Sequence, residues 1–317
     1  MKNLISLVIG LLLFSSCTRG QDMTGHNHAT PNPSTDAVET QDWAKQRLAK
    51  SPRHQEWVKV KNGSREVNSF VVYPELKNKA TAVVVIHEIF GMSDWVQSLT
   101  DQLAEAGYIA IAPDLLSGMG PNGGGTSSLD RNGVGQAIRD LPPDQITADL
   151  NAVADYVSKL PAANGNVVVT GYCWGGSQSF RFATNRPNLK AAFVFYGSAP
   201  APADGSPDKA ALARITAPVY GFYAGNDARI NATLPKTTEA MAELKKTFEP
   251  VTYEGAGHGF MRAGDGPEPT APTATSGNKE ADDKAKADYD KALVAYKANK
   301  KARDEAWARW KKILAAI

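Results

Sequence analysis

Three residues able to share nucleophilic chemistry stand along this chain in the order thiol, carboxylate, imidazole. Cys173 lies in GYCWGG, straight after the apolar run VVVTGY and before a stretch with helical spacing. A turn between glycines lets a side chain project from the end of a strand. A helix starting behind it favours a thiolate through its dipole and free N–H groups. The same frame could equally hold a small buried cysteine in an ordinary strand-to-helix turn. Asp227 follows the apolar run VYGFYAG, and His258 lies between glycines in EGAGHGF, past the next run. A thiol nucleophile needs a base to share its proton, and the base needs a carboxylate to hold its tautomer and steady its cation. His258 and Asp227 suit those roles; Asn226 competes for the acid position but cannot carry the charge. Upstream, VVVIHEIFG places His87, Glu88 and Ile89 just past another apolar run. The backbone N–H groups of Ile89 and of Trp174, the residue after the thiol, would form an oxyanion hole. His87 reads as a hydrogen-bond donor that fixes the loop.

These residues can meet only if strand ends bring them together. The pattern predicts a short helix over Asp42 to Lys50, a two-strand hairpin around Asn62-Gly63, and then strands alternating with helices. TAVVVIHE, YIAIAPDLL, NVVVTGY, AAFVFYGS, PVYGFYAG and FEPVTYEG read as buried strands. DWVQSLTDQLAEAG, PPDQITADLNAVADYVSKL, GSQSFRFATNR and PKTTEAMAELKKT read as the helices, with Ile146, Leu150, Val153 and Val157 on one face of the second. Unbroken β-branched runs between amphipathic helices imply an α/β domain over residues 41–266, a mainly parallel sheet with helices on both faces. In such sheets ligands bind at the carboxyl ends of the strands, where each candidate residue falls. The order nucleophile, acid, histidine is that of the α/β-hydrolase fold.

The 317 residues are 42% hydrophobic and 21% charged, with a formal net charge of +2, which gives no electrostatic case for a nucleic-acid partner. No apolar run is long enough to span a bilayer in the mature chain. Residues 1–17 carry Lys2, an apolar stretch from Leu4 to Phe14, and small residues before Cys17. They read as a secretory signal whose FSSC resembles a bacterial lipobox, with Cys17 as the lipidation site. Simple cleavage near Ser16 is the alternative. The chain has two cysteines; with Cys17 lipidated or removed, Cys173 has no disulfide partner in an oxidising compartment. Residues 18–40 read as a polar tether in which His26 and His28 are incidental rather than a metal site. The Gly-rich stretch SGMGPNGGGTSS lacks the ending of a phosphate cradle. Residues 267–300 read as a low-complexity loop and a charged helical insertion. Residues 301–317 read as a last helix docking through Trp307, Trp310, Leu314 and Ile317.

HEIFG, APDLL, GYCWGG, AGND and AGHGF, in this order and context, make the chain resemble the dienelactone hydrolase family, α/β hydrolases with a cysteine nucleophile. The resemblance implies a catalytic triad of Cys173, Asp227 and His258. It also implies that Glu88 points at the thiol at rest and moves on ligand binding so that the thiol loses its proton; a carboxylate beside a thiol disfavours the thiolate. Arg262 matches the position that holds a substrate carboxylate. A second arginine is expected shortly after the PDL strand end, and this chain has no basic residue there before Arg131. The expectation is therefore an exported hydrolase of esters or lactones that needs no cofactor and no metal and meets a membrane only through its N-terminal anchor. An acyltransferase or peptidase with the same triad, or a non-catalytic surface lipoprotein, are the alternatives.

Overall fold

The computed structural model describes residues 41–273 and 277–317. The leader, Cys17 and the tether with His26 and His28 lie outside the described residues. Eight strands form one sheet: β1 (Gln55–Asn62), β2 (Arg65–Val72), β3 (Ala80–Ile86), β4 (Ile109–Pro113), β5 (Ala163–Tyr172), β6 (Ala192–Phe195), β7 (Val219–Ala224) and β8 (Phe248–Tyr253). Their spatial order is β1-β2-β4-β3-β5-β6-β7-β8, with β2 antiparallel to both neighbours and β3 to β8 mutually parallel. This is the α/β-hydrolase architecture. β1 and β2 pair Asn62 with Arg65, so the hairpin turns through Gly63 and Ser64, with Gly63 at φ 60°.

The unbroken apolar runs are explained by two cores, one on each face. In β3, Ala82, Val84 and Ile86 enter one core, while Val83 and Val85 enter the other. The first core takes Ile146, Leu150, Val153 and Val157 from α4 (Pro143–Ser158) and Phe180 and Phe182 from α5 (Trp174–Ala183). The second takes Trp95, Leu99 and Leu103 from α2 (Asp94–Glu105). The predicted N-terminal helix is α1 (Asp42–Ala49).

Two stretches differ from the sequence expectation. The glycine-rich segment after β4 is a packed loop followed by a helix, α3 (Arg131–Asp140). The Asp114 carboxylate accepts from Thr126 N–H at 2.8 Å and from its hydroxyl at 2.7 Å, and a Cβ on Gly125 would lie 2.2 Å from Asp114 Oδ2. Those glycines serve close packing. Gly133 and Gly135 weaken the local helical preference that α3 needs. Asp130 caps it at Gly133 N–H, and burial of Val134, Ala137 and Ile138 supplies the rest. Short helices α6 (Lys209–Ala213), α7 (Ala228–Asn231), α8 (Leu234–Glu243) and α9 (Phe260–Ala263) complete the connections. The other difference is at the C-terminus, where no break separates an insertion from a final helix near residue 300. One 36-residue helix, α10 (Lys279–Leu314), runs through it. It contains no glycine or proline, and Lys–Asp pairs four apart, such as Lys284–Asp288 and Lys286–Asp290, line its exposed half at the spacing that favours a helix. Trp310 and Leu314 are buried, with Trp307 stacked on Trp310 at 5.4 Å. Among the described residues, no helix is long and apolar enough to cross a membrane.

Candidate active site

The turn from β5 into α5 presents Cys173 at φ 56° and ψ −117°, a conformation that costs a non-glycine residue about 1–3 kcal/mol. The surrounding backbone leaves no alternative. A Cβ on Gly171 would sit 2.0 Å from the Gly175 carbonyl oxygen, and one on Gly175 would sit 2.3 Å from that of His87. These contacts press the start of α5 against the loop leaving β3. They bring Trp174 and Ile89 to one place, and neither N–H makes a hydrogen bond among the described residues. His87 fixes the loop: its Nδ1–H donates to the Glu88 carbonyl at 2.8 Å, and its ring stacks on Trp174 at 5.4 Å. Complete burial lowers its pKa, so the ring is neutral.

Asp227 follows β7 and caps α7, accepting from Ile230 N–H. Its other oxygen accepts from His258 Nδ1 at 2.5 Å. Asn226 turns away, donating to the Gly255 carbonyl at 3.0 Å, so the carboxylate and not the amide meets the imidazole. His258 follows β8, and left-handed Gly259 (φ 78°) starts α9 directly behind it. Burial works against the His258 cation, but hydrogen bonding to Asp227 and Cys173 and the charges of both outweigh it, raising the ring to about 9. Burial likewise opposes ionisation of Asp227, yet its bond and charge interaction with His258 hold it below the usual carboxylate range. Imidazole and buried carboxylate thus form one bonded pair, with the half-buried Cys173 close enough to add to the His258 cation's stabilisation.

Glu88 departs from the expectation. Its Oε2 accepts from Arg262 Nε at 2.7 Å, and among the described residues no hydrogen bond joins it to the Cys173 thiol. Arg262, at the position expected to hold a substrate carboxylate, is engaged by this pair and lies over the Phe90 ring at 5.1 Å. Both side chains are largely buried, and a buried carboxylate and guanidinium are far less costly paired than apart. The charge of Glu88, against some desolvation, raises the Arg262 pKa.

Residues 67–317 match the sequence pattern of the dienelactone hydrolase family. The chain belongs to that family. A Salmonella typhi protein assigned by inference as a carboxymethylenebutenolidase is 33% identical over 189 residues, covering 56% of this chain and 67% of its own. A Saccharolobus solfataricus protein with the same inferred assignment is 31% identical over 228 residues, covering 62% of this chain and 84% of its own. A Klebsiella pneumoniae crystal structure, described as an inferred dienelactone hydrolase, aligns with a TM-score of 0.59 at 25% identity. The alignment spans 77% of this chain and 98% of that one. Family membership makes the chain a hydrolase acting on a small molecule.

In this dienelactone hydrolase family member, Ile89 borders two adjoining cavities, and α3 forms the opposite wall of each. One, of about 550 Å³, is lined by Phe90, Arg131, Gln136 and Arg139; the other, of about 380 Å³, by Ile138, Leu141, Ile146, Trp174 and Arg139. Arg139 faces both, and its guanidinium bonds the Gln136 side chain at 2.8 Å. Sequence reading missed this wall; the cap at Asp130 with apolar Val134, Ala137 and Ile138 was the available signal. It also missed Tyr196, which directly follows β6 at φ 41° with its ring edge-on to His258 at 5.0 Å. Among the described residues, no group of three or more His, Cys, Asp or Glu side chains could hold a metal.

Proposed function

We propose that this chain hydrolyses carboxylic esters or lactones through a Cys173–His258–Asp227 triad and a thioester intermediate. The observation that carries the reading is Cys173 on a strained elbow, with His258 beside it and bonded to Asp227. Cys173 Sγ attacks the carbonyl carbon with its proton resting on His258, the site that the raised ring pKa favours. The carbonyl oxygen becomes an oxyanion that the N–H groups of Ile89 and Trp174 stabilise. Collapse of the adduct breaks the bond to the leaving oxygen, which takes a proton from His258 and leaves an acyl group on sulfur. His258 then removes a proton from water, the hydroxide attacks the thioester, and the acid and thiol are released. A substrate anion that took Arg262 would break the Glu88–Arg262 pair and free Glu88, a ligand-linked movement that starts from the arginine rather than from the thiol. The cavities favour an ester with an apolar arm along Ile138, Leu141 and Ile146, and an anionic end within reach of Arg139.

The deciding experiment is hydrolysis of p-nitrophenyl acetate by the wild type and Cys173→Ala. Activity should vanish while the unfolding temperature stays close to wild type; near-normal turnover by the variant would refute the mechanism. Export and lipidation at Cys17 are part of the same proposal. Fatty-acid labelling of the wild type and Cys17→Ala in a bacterial host should label only the former, and equal labelling of both would remove the anchor.

A further inference from the structure

We propose that α10 braces the segment carrying His258 and Arg262, and that Asn299 is the positioning residue that sets His258. The proposal rests on the triad assigned above. Between Gly257 and Gly266 the chain passes through His258, left-handed Gly259 and the single-turn helix α9. So short a helix has little stability of its own and takes its geometry from what it packs against. α10 holds the segment at both ends. Asn299, buried, accepts on Oδ1 from the Gly257 N–H at 2.8 Å, in the residue directly before His258. At the other end Arg303 pairs with Asp265 Oδ1 at 2.6 Å, and the Tyr296 hydroxyl donates to the Gly266 carbonyl at 3.3 Å. Between them the helices touch so closely that a Cβ on Gly264 would lie 2.5 Å from the Asn299 carbonyl oxygen. Tyr296, Asn299 and Arg303 are spaced to share one face of α10.

The brace is itself fixed to the strands that matter. Ala302, Ala306, Trp310 and Leu314 are buried against the sheet. Arg309 donates to the Gly221 carbonyl of β7 at 3.0 Å and the Glu249 carbonyl of β8 at 2.9 Å. These are the strands that deliver Asp227 and His258. One rigid helix therefore references the His258 segment to the strand bearing its carboxylate partner, which gives the Ala/Lys-rich C-terminal region a role at the site.

Steady-state ester hydrolysis by Asn299→Ala and Asn299→Asp, each checked by thermal unfolding, tests this. Asn299→Ala should lower kcat roughly tenfold to a hundredfold with KM within about twofold, the signature of a base held slightly out of line. Asn299→Asp, whose carboxylate can accept the same N–H, should recover most of that loss. Gly264→Ala, with a backbone φ of −89° that alanine adopts freely, should push the helices apart and lower kcat with Asn299 in place. A folded Asn299→Ala with wild-type kcat, or an Asn299→Asp as slow as it, overturns the proposal. Should Asn299→Ala fail to fold, a folded Gly264→Ala with wild-type kcat overturns it instead. Near-normal turnover by Cys173→Ala would refute the triad itself, a separate outcome from either.

Discussion

Replacing Asp227 with asparagine keeps the size of the side chain and removes the charge opposite His258. The ring is held at about 9 against an ordinary 6.5, which corresponds to about 3 kcal/mol of preference for the imidazolium in the folded chain. Burial opposes that preference, and the bond to Asp227 is the largest contribution on the other side, ahead of Cys173. Asp227→Asn should therefore lower the His258 inflection by roughly 1–2 pH units, followed by NMR with labelled histidine. It should lower kcat roughly 10³- to 10⁴-fold, because an amide can hold the wrong tautomer and cannot steady the cation. The stability profile provides an independent reading. A group whose pKa rises on folding contributes stability that is fully present below its unfolded value and is lost as pH climbs through the folded one. Wild-type stability should thus decline between about pH 6.5 and 9 through this group, and the variant should show a shallower slope. The carboxylate has the opposite sign: Asp227, held below its ordinary range, contributes at neutral pH and ceases to as acid protonates it. An unchanged His258 inflection in Asp227→Asn, or an unchanged slope across that window, would refute the reasoning.

Two further predictions concern the walls of the site. Arg139→Ala should reduce the ratio of kcat/KM for p-nitrophenyl hemisuccinate over p-nitrophenyl acetate by about fivefold, the scale of about 1 kcal/mol expected of an exposed cation; an unaltered ratio would remove Arg139 from substrate recognition. Gly175→Ala would force a Cβ to 2.3 Å from the His87 carbonyl oxygen, so it should destabilise the fold by about 2 kcal/mol or more and abolish activity; a variant as stable and active as the wild type in thermal unfolding and ester hydrolysis would show that the elbow tolerates movement.

The candidate residues were legible because each follows an apolar run that can only be a buried strand, and strand ends of a parallel sheet converge on one edge. Cys173 and His258 also carry flanking glycines, marks of a close backbone approach that survive in the linear chain. Asn226 and Asp227 could not be separated in this way, since adjacent residues share the same spacing. Their separation came from the Gly255 carbonyl, which takes the amide and leaves the carboxylate to the imidazole. α3 was hidden by Gly133 and Gly135, whose weak helical preference is overridden by burial of the face they interrupt.

By itself the sequence determined the sheet, its helical cover, and which residues stand at its carboxyl edge, because periodicity and glycine placement act over a few neighbouring residues. Only the tertiary structure decided how those residues are coupled. Glu88 and Arg262 are 174 positions apart and pair because neither charge is stable alone in a buried site. Asn299 reaches Gly257 across 42 positions because α10 runs unbroken past the place where composition suggested a join. Such contacts depend on how whole elements pack, and no local pattern in the chain encodes them.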